Sequence, residues 1–255
     1  MRRNISKTGY LHPDWPAPDS VSALVTLRSP GASVKPYDSF NLAAHVGDAT
    51  NAVEANRAQL RSDIQIERTA WLNQVHGVAN VHIQPSFDFS SVPEADASWT
   101  ELQNVACTVL TADCIPVLVC NTRGTKVAAI HAGWRGLSKG VIAKCLADAN
   151  FKAGETLVWL GPAIGRHAFQ VGEDVRQHFR ESEYFTNIDI NQLFEDDSEG
   201  KLLCNLAELA RTQLYSLGYQ DVWGGNECTH TEKDRYFSYR RDGQTGRMAS
   251  LIWLQ

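Results

Sequence analysis

Two histidines and a cysteine, His76, Cys114 and His131, stand in the strings QVHG, TADC and HAGW. A thiolate and neutral imidazoles are good zinc ligands, and a catalytic zinc takes three protein ligands while a fourth position stays open. Each residue also has a plainer reading, Cys114 as a small buried hydrophobe and the histidines as hydrogen-bonded turn residues. Their spacings match no standard short metal motif. The neighbours favour chemistry. Cys114 lies in TADCIP, next to Asp113 and close to Pro116. His131 is followed by Gly133, Trp134, Arg135 and Gly136, which allow close approach of the backbone to a ligand and offer a ring and a guanidinium.

Other strings carry polar groups without fixing their use. YFSYRRDGQTGRM gathers Tyr236, Tyr239, Arg240, Arg241 and Arg247. Arginine suits planar anions because its fork binds two oxygens at once, but the string also reads as a solvated hairpin around Asp242 and Gly243. In NLAAHVGD, residues 41 to 48, Asn41 and His45 either face a pocket or shape a loop. GPAIG, residues 161 to 165, either offers backbone N–H groups to an anion or is an ordinary Gly-Pro turn.

The elements that must position these residues read as follows. SVSALVTLRS (20 to 29) is a first strand, stopped by Pro30-Gly31. Residues 48 to 63 form a helix capped by Asp48 or Thr50. TAWLNQVHG and VANVHIQ suggest a hairpin around Gly77 with His76 at its bend. VACTVLTADC, IPVLVCN and KVAAIHAGW are apolar throughout, as strands covered on both faces are; they predict a central sheet, with a turn over Asn121 to Gly124. A helix follows over GLSKGVIAKCLADANF, then a strand over TLVWLGPAIG. GEDVRQHFRES and LLCNLAELARTQLYSLGY are helices, the second with Leu203, Leu206, Ala210, Leu214 and Leu217 on one face and Gly218 at its end. DVWGGNECT, DRYFSYRRDG and MASLIWLQ close the chain as strands. The alternation of helix and strand, without repeat or linker, points to an α/β (α+β) fold: one layered domain over residues 1–255 with central mixed sheets flanked by helices.

At 255 residues and 43% hydrophobic, the chain has enough apolar mass for a sizeable core. Its 24 Lys and Arg against 29 Asp and Glu, a net charge of −5, do not suit capture of nucleic acid by the whole surface, although a local basic pocket for phosphate is compatible. No apolar run is long enough for a spanning helix, and MRRNISKTGYLHPDWPAP lacks the apolar region of an export signal, so a cytoplasmic protein without a membrane partner is expected. Six cysteines without a CxxC pair fit reduced thiols.

Taken together and in order, NLAAHVGD, WLNQVHG, ADASWT, LTADCIPVLVC, HAGWRGL, GPAIG, VGEDV and FSYRRDGQTGRMASLIWL resemble the laccase-domain or polyphenol oxidase family. It is also described as a purine nucleoside phosphorylase family and a peptidoglycan editing factor family. The resemblance spans residues 41 to 254. It implies a fold similar to a cysteine-dependent toxin deamidase and a zinc site on His76, Cys114 and His131. It also implies phosphorolysis of adenosine, inosine and methylthioadenosine, with adenosine deamination. The chain departs from many relatives at RHAFQVG, where His167 and Gln170 are expected to alter the pocket wall.

On that reading the site takes small purine nucleosides and phosphate. Zinc would bind or activate the attacking oxygen, from water in deamination and from phosphate in phosphorolysis. Arg135, Arg240 and Arg247 are the phosphate candidates, and Asn41 and Gln74 are candidates to orient ribose or base. Three alternatives stand beside it. Cys114 could be a nucleophile with His131 or His76 as base, hydrolysing an amide of a peptidoglycan precursor. Copper could replace zinc in a phenol oxidase, for which the only methionines are Met1 and Met248. Cys228 or His230 could close a four-ligand zinc site in a binding domain without catalysis.

Overall fold

The computed structural model describes residues 9–186 and 188–255. In chain order the elements are β1 (Tyr10–Leu11), β2 (Val21–Thr26), α1 (Thr50–Ile64), β3 (Arg68–Ala70), β4 (Asn80–His82), β5 (Ala97–Thr100), β6 (Val105–Thr111), β7 (Ile115–Asn121) and β8 (Val127–Ala132). There follow α2 (Trp134–Ser138), α3 (Val141–Asp148), β9 (Thr156–Leu160), β10 (Gln170–Val171), α4 (Glu173–Arg180), β11 (Phe194–Asp196), β12 (Leu202–Cys204), α5 (Leu206–Ser216), β13 (Val222–Gly224), α6 (Tyr239–Asp242) and β14 (Met248–Leu254). The reading of the leading residues as free of an export signal falls in part on Met1–Thr8, outside the described residues.

The apolar runs of the middle of the chain are strands buried along their whole length, β6, β7 and β8. Successive side chains of a strand point to opposite faces, so each of these strands feeds two cores. From β6, Val105, Cys107 and Val109 enter one core while Ala106 and Leu110 enter another. The strands divide between two mixed sheets. One runs β1-β2-β14-β6-β3 and the other β13-β9-β7-β8-β5-β4, with a small third sheet β10-β12-β11 beside them.

The two large sheets face each other across a shared core that includes Val109, Met248 and Ile252 from the first and Leu118, Val127 and Trp159 from the second. The outer face of the first sheet packs with Leu60 of α1, and that of the second with Ile142 and Leu146 of α3 and Leu209 and Leu214 of α5. The result is a mixed α/β architecture of sheets flanked by helices, as the sequence predicts.

Several details differ from the sequence reading. QVHG does not bend a hairpin: β3 pairs with β6 in the first sheet and β4 pairs with β5 in the second, both in parallel. The three apolar runs expected to share a central sheet divide between two, because β6 belongs with β14 while β7 and β8 pair in the other sheet. The helix expected after His131 is broken by Gly140, whose φ of +83° is a left-handed conformation that glycine adopts freely. Leu203 lies in β12 rather than on a helix, and α5 starts only after Asn205, whose side chain accepts a hydrogen bond from Glu208 N–H. DRYFSYRRDG forms no strand and contains the short α6 capped by Ser238. The residue capping α1 is Ala49, without a side-chain cap; Asp48 instead accepts hydrogen bonds from Ala49 N–H, Ser33 Oγ and Asn41 Nδ2.

Candidate metal centre and its cavity

His76 is on the connection from β3 to β4, Cys114 is the last residue before β7, and His131 is the penultimate residue of β8. Their donor atoms all lie within 4.8 Å of one another. Cys114 Sγ is 3.8 Å from His76 Nε2, and the two imidazoles meet edge to face with centroids 4.8 Å apart. His131 is buried, Cys114 half-buried and His76 exposed, so the group is closed at its back and open at its front.

The backing comes from Asp96, at the start of the ADASWT string. Its fully buried carboxylate takes His131 Nδ1 at 2.8 Å and accepts the backbone N–H groups of Val75, His76 and Gly77 at 3.3, 3.0 and 2.6 Å. One side chain therefore fixes the ring of one histidine and the loop that carries the other. Burial alone would raise the Asp96 carboxyl, but its hydrogen bonds, that of His131 foremost, hold it below the usual carboxylate range. With Nδ1 occupied, Nε2 is the atom that His131 keeps for a ligand. Sequence alone does not single out Asp96, because nothing local to ADASWT shows that a distant loop and a strand end converge on it.

The thiol is prepared in the same way. Burial favours neutral Cys114, yet the surrounding imidazoles, His131 first and then His76, outweigh it and bring the pKa down to about 6. Burial likewise disfavours a charged His131, and the thiolate and Asp96 reverse that, raising its pKa. Gly133 completes the packing: a Cβ there would lie 2.8 Å from His76 Cδ2 and 2.9 Å from Cys114 Sγ.

The donors open into a cavity of about 470 Å³, a size suited to small-molecule ligands. Leu110, Ile164, Phe169 and Leu206 give it apolar lining, and Trp134 and Tyr239 add aromatic rings. Arg135, Arg240 and Arg247 also line it, with the guanidinium of Arg135 over the Trp134 ring, that of Arg240 over Phe169 and that of Arg247 over Tyr239. Among the described residues, none of these three arginines has a carboxylate at ion-pair distance. Their remaining bonds go to carbonyls, Arg240 Nη1 to Gln170 and Arg247 Nη1 to Thr245 and Gly246. Burial pulls the pKa of half-buried Arg247 below its ordinary value, and the nearby Cys114 and Asp113 offset that only in part. His45 is in the same lining, its pKa lowered by burial and then by Arg247 and Arg57.

Other polar candidates have structural duties. Asn41 is fully buried and absent from the cavity lining; its side chain accepts from Ala43 and Arg247 N–H and donates to Asp48 and Ala43. Gln74 reaches the lining, but its amide is doubly bonded to the backbone of Leu110. Arg241 donates to the carbonyls of Thr229, His230 and Tyr236, and buried Tyr236 bonds to Glu227. In GPAIG, the N–H groups of Gly161, Ala163, Ile164 and Gly165 go to Pro116, Glu227, Asp113 and Cys228 Sγ, so the loop is the ordinary turn and offers no anion cradle. The wall near RHAFQVG is Phe169, while the Gln170 side chain binds Asp197 and His167 is not in the lining.

Among the described residues neither Cys228 nor His230 joins the donor group. Met248, buried in the core between the sheets, accepts a hydrogen bond from Phe237 N–H and is outside the cavity lining.

Fold and site together define a mixed α/β protein with a His–Cys–His metal-binding group facing a cavity. Residues 22–255 match the family described as multi-copper polyphenol oxidoreductase laccase, and the chain belongs to that family. It is 47% identical over 247 residues to a purine nucleoside phosphorylase of Pseudomonas aeruginosa, covering 96% of this chain and 98% of that one. Identity to the Escherichia coli purine nucleoside phosphorylase YfiH is 45%, over 95% of this chain and 97% of the relative. A crystal structure of a Neisseria meningitidis protein superposes with a TM-score of 0.90 at 44% identity, covering 97% of this chain and 99% of the other.

Proposed function

We propose that the chain is a zinc-dependent purine nucleoside enzyme that cleaves nucleosides such as adenosine, inosine and methylthioadenosine by phosphorolysis and also deaminates adenosine. The observation that carries this reading is one cavity with soft metal donors on its wall and three guanidiniums without carboxylate partners around it. The names of the Pseudomonas and Escherichia relatives support the same substrate class.

The donor set fits zinc: a thiol already biased to thiolate, an imidazole whose tautomer is held by a carboxylate, and a second imidazole facing the cavity. When bound by His76, Cys114 and His131, the ion would supply Lewis-acid activation of an oxygen nucleophile. Arg135, Arg240 and Arg247 would bind the phosphate and hold it against the sugar, since guanidinium forks match its oxygens. In phosphorolysis a phosphate oxygen bonds to the anomeric carbon, the bond from that carbon to the base nitrogen breaks, and the purine leaves with the electron pair and takes up a proton. Trp134, Phe169 and Tyr239 give flat surfaces for the base and keep bulk water from that bond. In deamination, water replaces the amine on the ring carbon and ammonia leaves.

No helix among the described residues is long and apolar enough to cross a membrane. The six free cysteines suit the reducing cytoplasm, where purine nucleosides and phosphate are at hand.

A second reading has its own observation. Cys114, His131 and Asp96 form a thiol–imidazole–carboxylate series, the arrangement of a cysteine hydrolase that would cleave an amide of a peptidoglycan precursor. Metal analysis beside turnover of adenosine with phosphate separates the two. About one zinc per chain, with base release lost together with zinc in Cys114→Ala, is expected. A metal-free wild type that is active in the presence of chelator would overturn the zinc reading.

A further inference from the structure

We propose that Asp113 is a positioning residue that sets the arginine side of the cavity against the metal donors, so that phosphate affinity depends on a carboxylate that does not touch phosphate. This rests on the reading of the arginines as the phosphate site.

Asp113 precedes the donor Cys114 and is buried in a conformation with φ of +99°, unusual for a residue with a side chain. Such a conformation persists where its surroundings over-determine it, and here three bonds do so. Asp113 Oδ1 accepts from Thr229 Oγ1 at 2.6 Å, Oδ2 accepts from Arg240 N–H at 2.6 Å, and the Asp113 carbonyl accepts from Ile164 N–H at 2.9 Å. The bond to Arg240 N–H falls within the first turn of α6, the element that presents Tyr239 and Arg240 to the cavity. That turn is tied again at Thr229, whose carbonyl accepts from Arg241. A donor and an anion-binding turn more than a hundred residues apart in sequence are thus joined through one side chain.

The chemistry of the two oxygens indicates the variants. Asp113→Asn can turn its amide so that the oxygen accepts from Arg240 and the NH2 donates to the Thr229 hydroxyl, and asparagine tolerates positive φ. Asp113→Gly relieves the backbone and removes both bonds, which isolates the carboxylate from the strain.

The test measures binding of inorganic phosphate by calorimetry, then zinc content and steady-state kinetics, for the zinc-loaded full chain. In Asp113→Gly, phosphate Kd and KM are expected to rise roughly ten- to a hundredfold, as small misplacements of binding groups do. Zinc content is expected to hold, nucleoside KM to change less than phosphate KM because Tyr239 is one of three rings around the base, and Asp113→Asn to recover most of the loss. Combined with Arg240→Ala, Asp113→Gly should cost less than it does alone, since it acts mainly through the turn that carries Arg240. Unchanged phosphate affinity in Asp113→Gly, additive effects in the double variant, or no phosphate binding by the wild type would each overturn the proposal. Wild type that binds phosphate but releases no base would instead overturn phosphorolysis, leaving the positioning role to be decided by the binding constants.

Discussion

Asp96 shows how much of this site depends on side chains that need touch no ligand. Its carboxylate serves His131 Nδ1 and three consecutive N–H groups around His76, and an amide in its place has only one oxygen with which to accept. Asp96→Asn is therefore expected to weaken zinc binding about 10- to 100-fold, as loss of outer partners of metal-bound histidines does. Competition against a chromogenic chelator measures it, and unchanged affinity would mean that the loop holds itself. The thiol gives a second residue-scale prediction. In metal-stripped protein, Cys114 is thiolate above about 6, so alkylation should be fast at neutral pH and slow as acid protonates the sulfur. His131→Ala removes the largest influence favouring the thiolate, and the midpoint should move up toward that of an ordinary cysteine. A midpoint that does not move would show that His131 is not what lowers the thiol. Zinc affinity should fall as pH drops, first as His131 takes up a proton below about 9 and further as the sulfur takes one near 6, because the ligands are the neutral imidazole and the thiolate.

At the scale of elements, Gly140 ends α2 after five residues and lets α3 start in a new direction. A Cβ at Gly140 would run into the ring of Tyr184, in a left-handed conformation as well. Gly140→Ala should destabilise the fold by about 1–3 kcal/mol, read from the urea midpoint; a neutral substitution would mean the break is not needed. The sequence shows residues of the right kind more readily than it shows their partners. β6, β7 and β8 are evident from apolar runs, because strands buried on both faces have few polar positions. Pairing is not evident: TAWLNQVHG and VANVHIQ have the look of hairpin arms, yet β3 and β4 belong to different sheets, since register depends on strands far away in sequence. Likewise DRYFSYRRDG is aromatic enough for a strand, but Ser238 caps a helical turn that tertiary contacts with Asp113 hold. The three metal donors could be picked out from residue type and glycine-rich surroundings. Asn41 could not be separated from a ligand contact, because only the fold reveals that its side chain accepts from Arg247 N–H.

For the whole molecule, the decisive feature is where the chain changes sheets. It leaves the first sheet at Ala70 and joins the second at Asn80, with His76 between; it crosses again from Thr111 to Ile115, with Cys114 between. His131 is within the second sheet, on β8. An ion held by all three would tie both crossovers to one strand at the edge of the core shared by the sheets, and a ligand that binds only the folded chain stabilises it by mass action. Zinc free at about a hundred times its Kd adds about 2.7 kcal/mol, which for a chain of this size raises Tm by roughly 5–10 °C. Adding a strong chelator should lower the Tm of the wild type by that amount and leave Cys114→Ala unmoved. Leu118→Ala, which empties a fully buried position between the sheets, should lower both proteins by a similar margin, about 2–5 kcal/mol, because the core and the metal tie act separately. If chelator moves wild type and Cys114→Ala alike, the stabilising ion is bound elsewhere and the crossovers are held by packing alone.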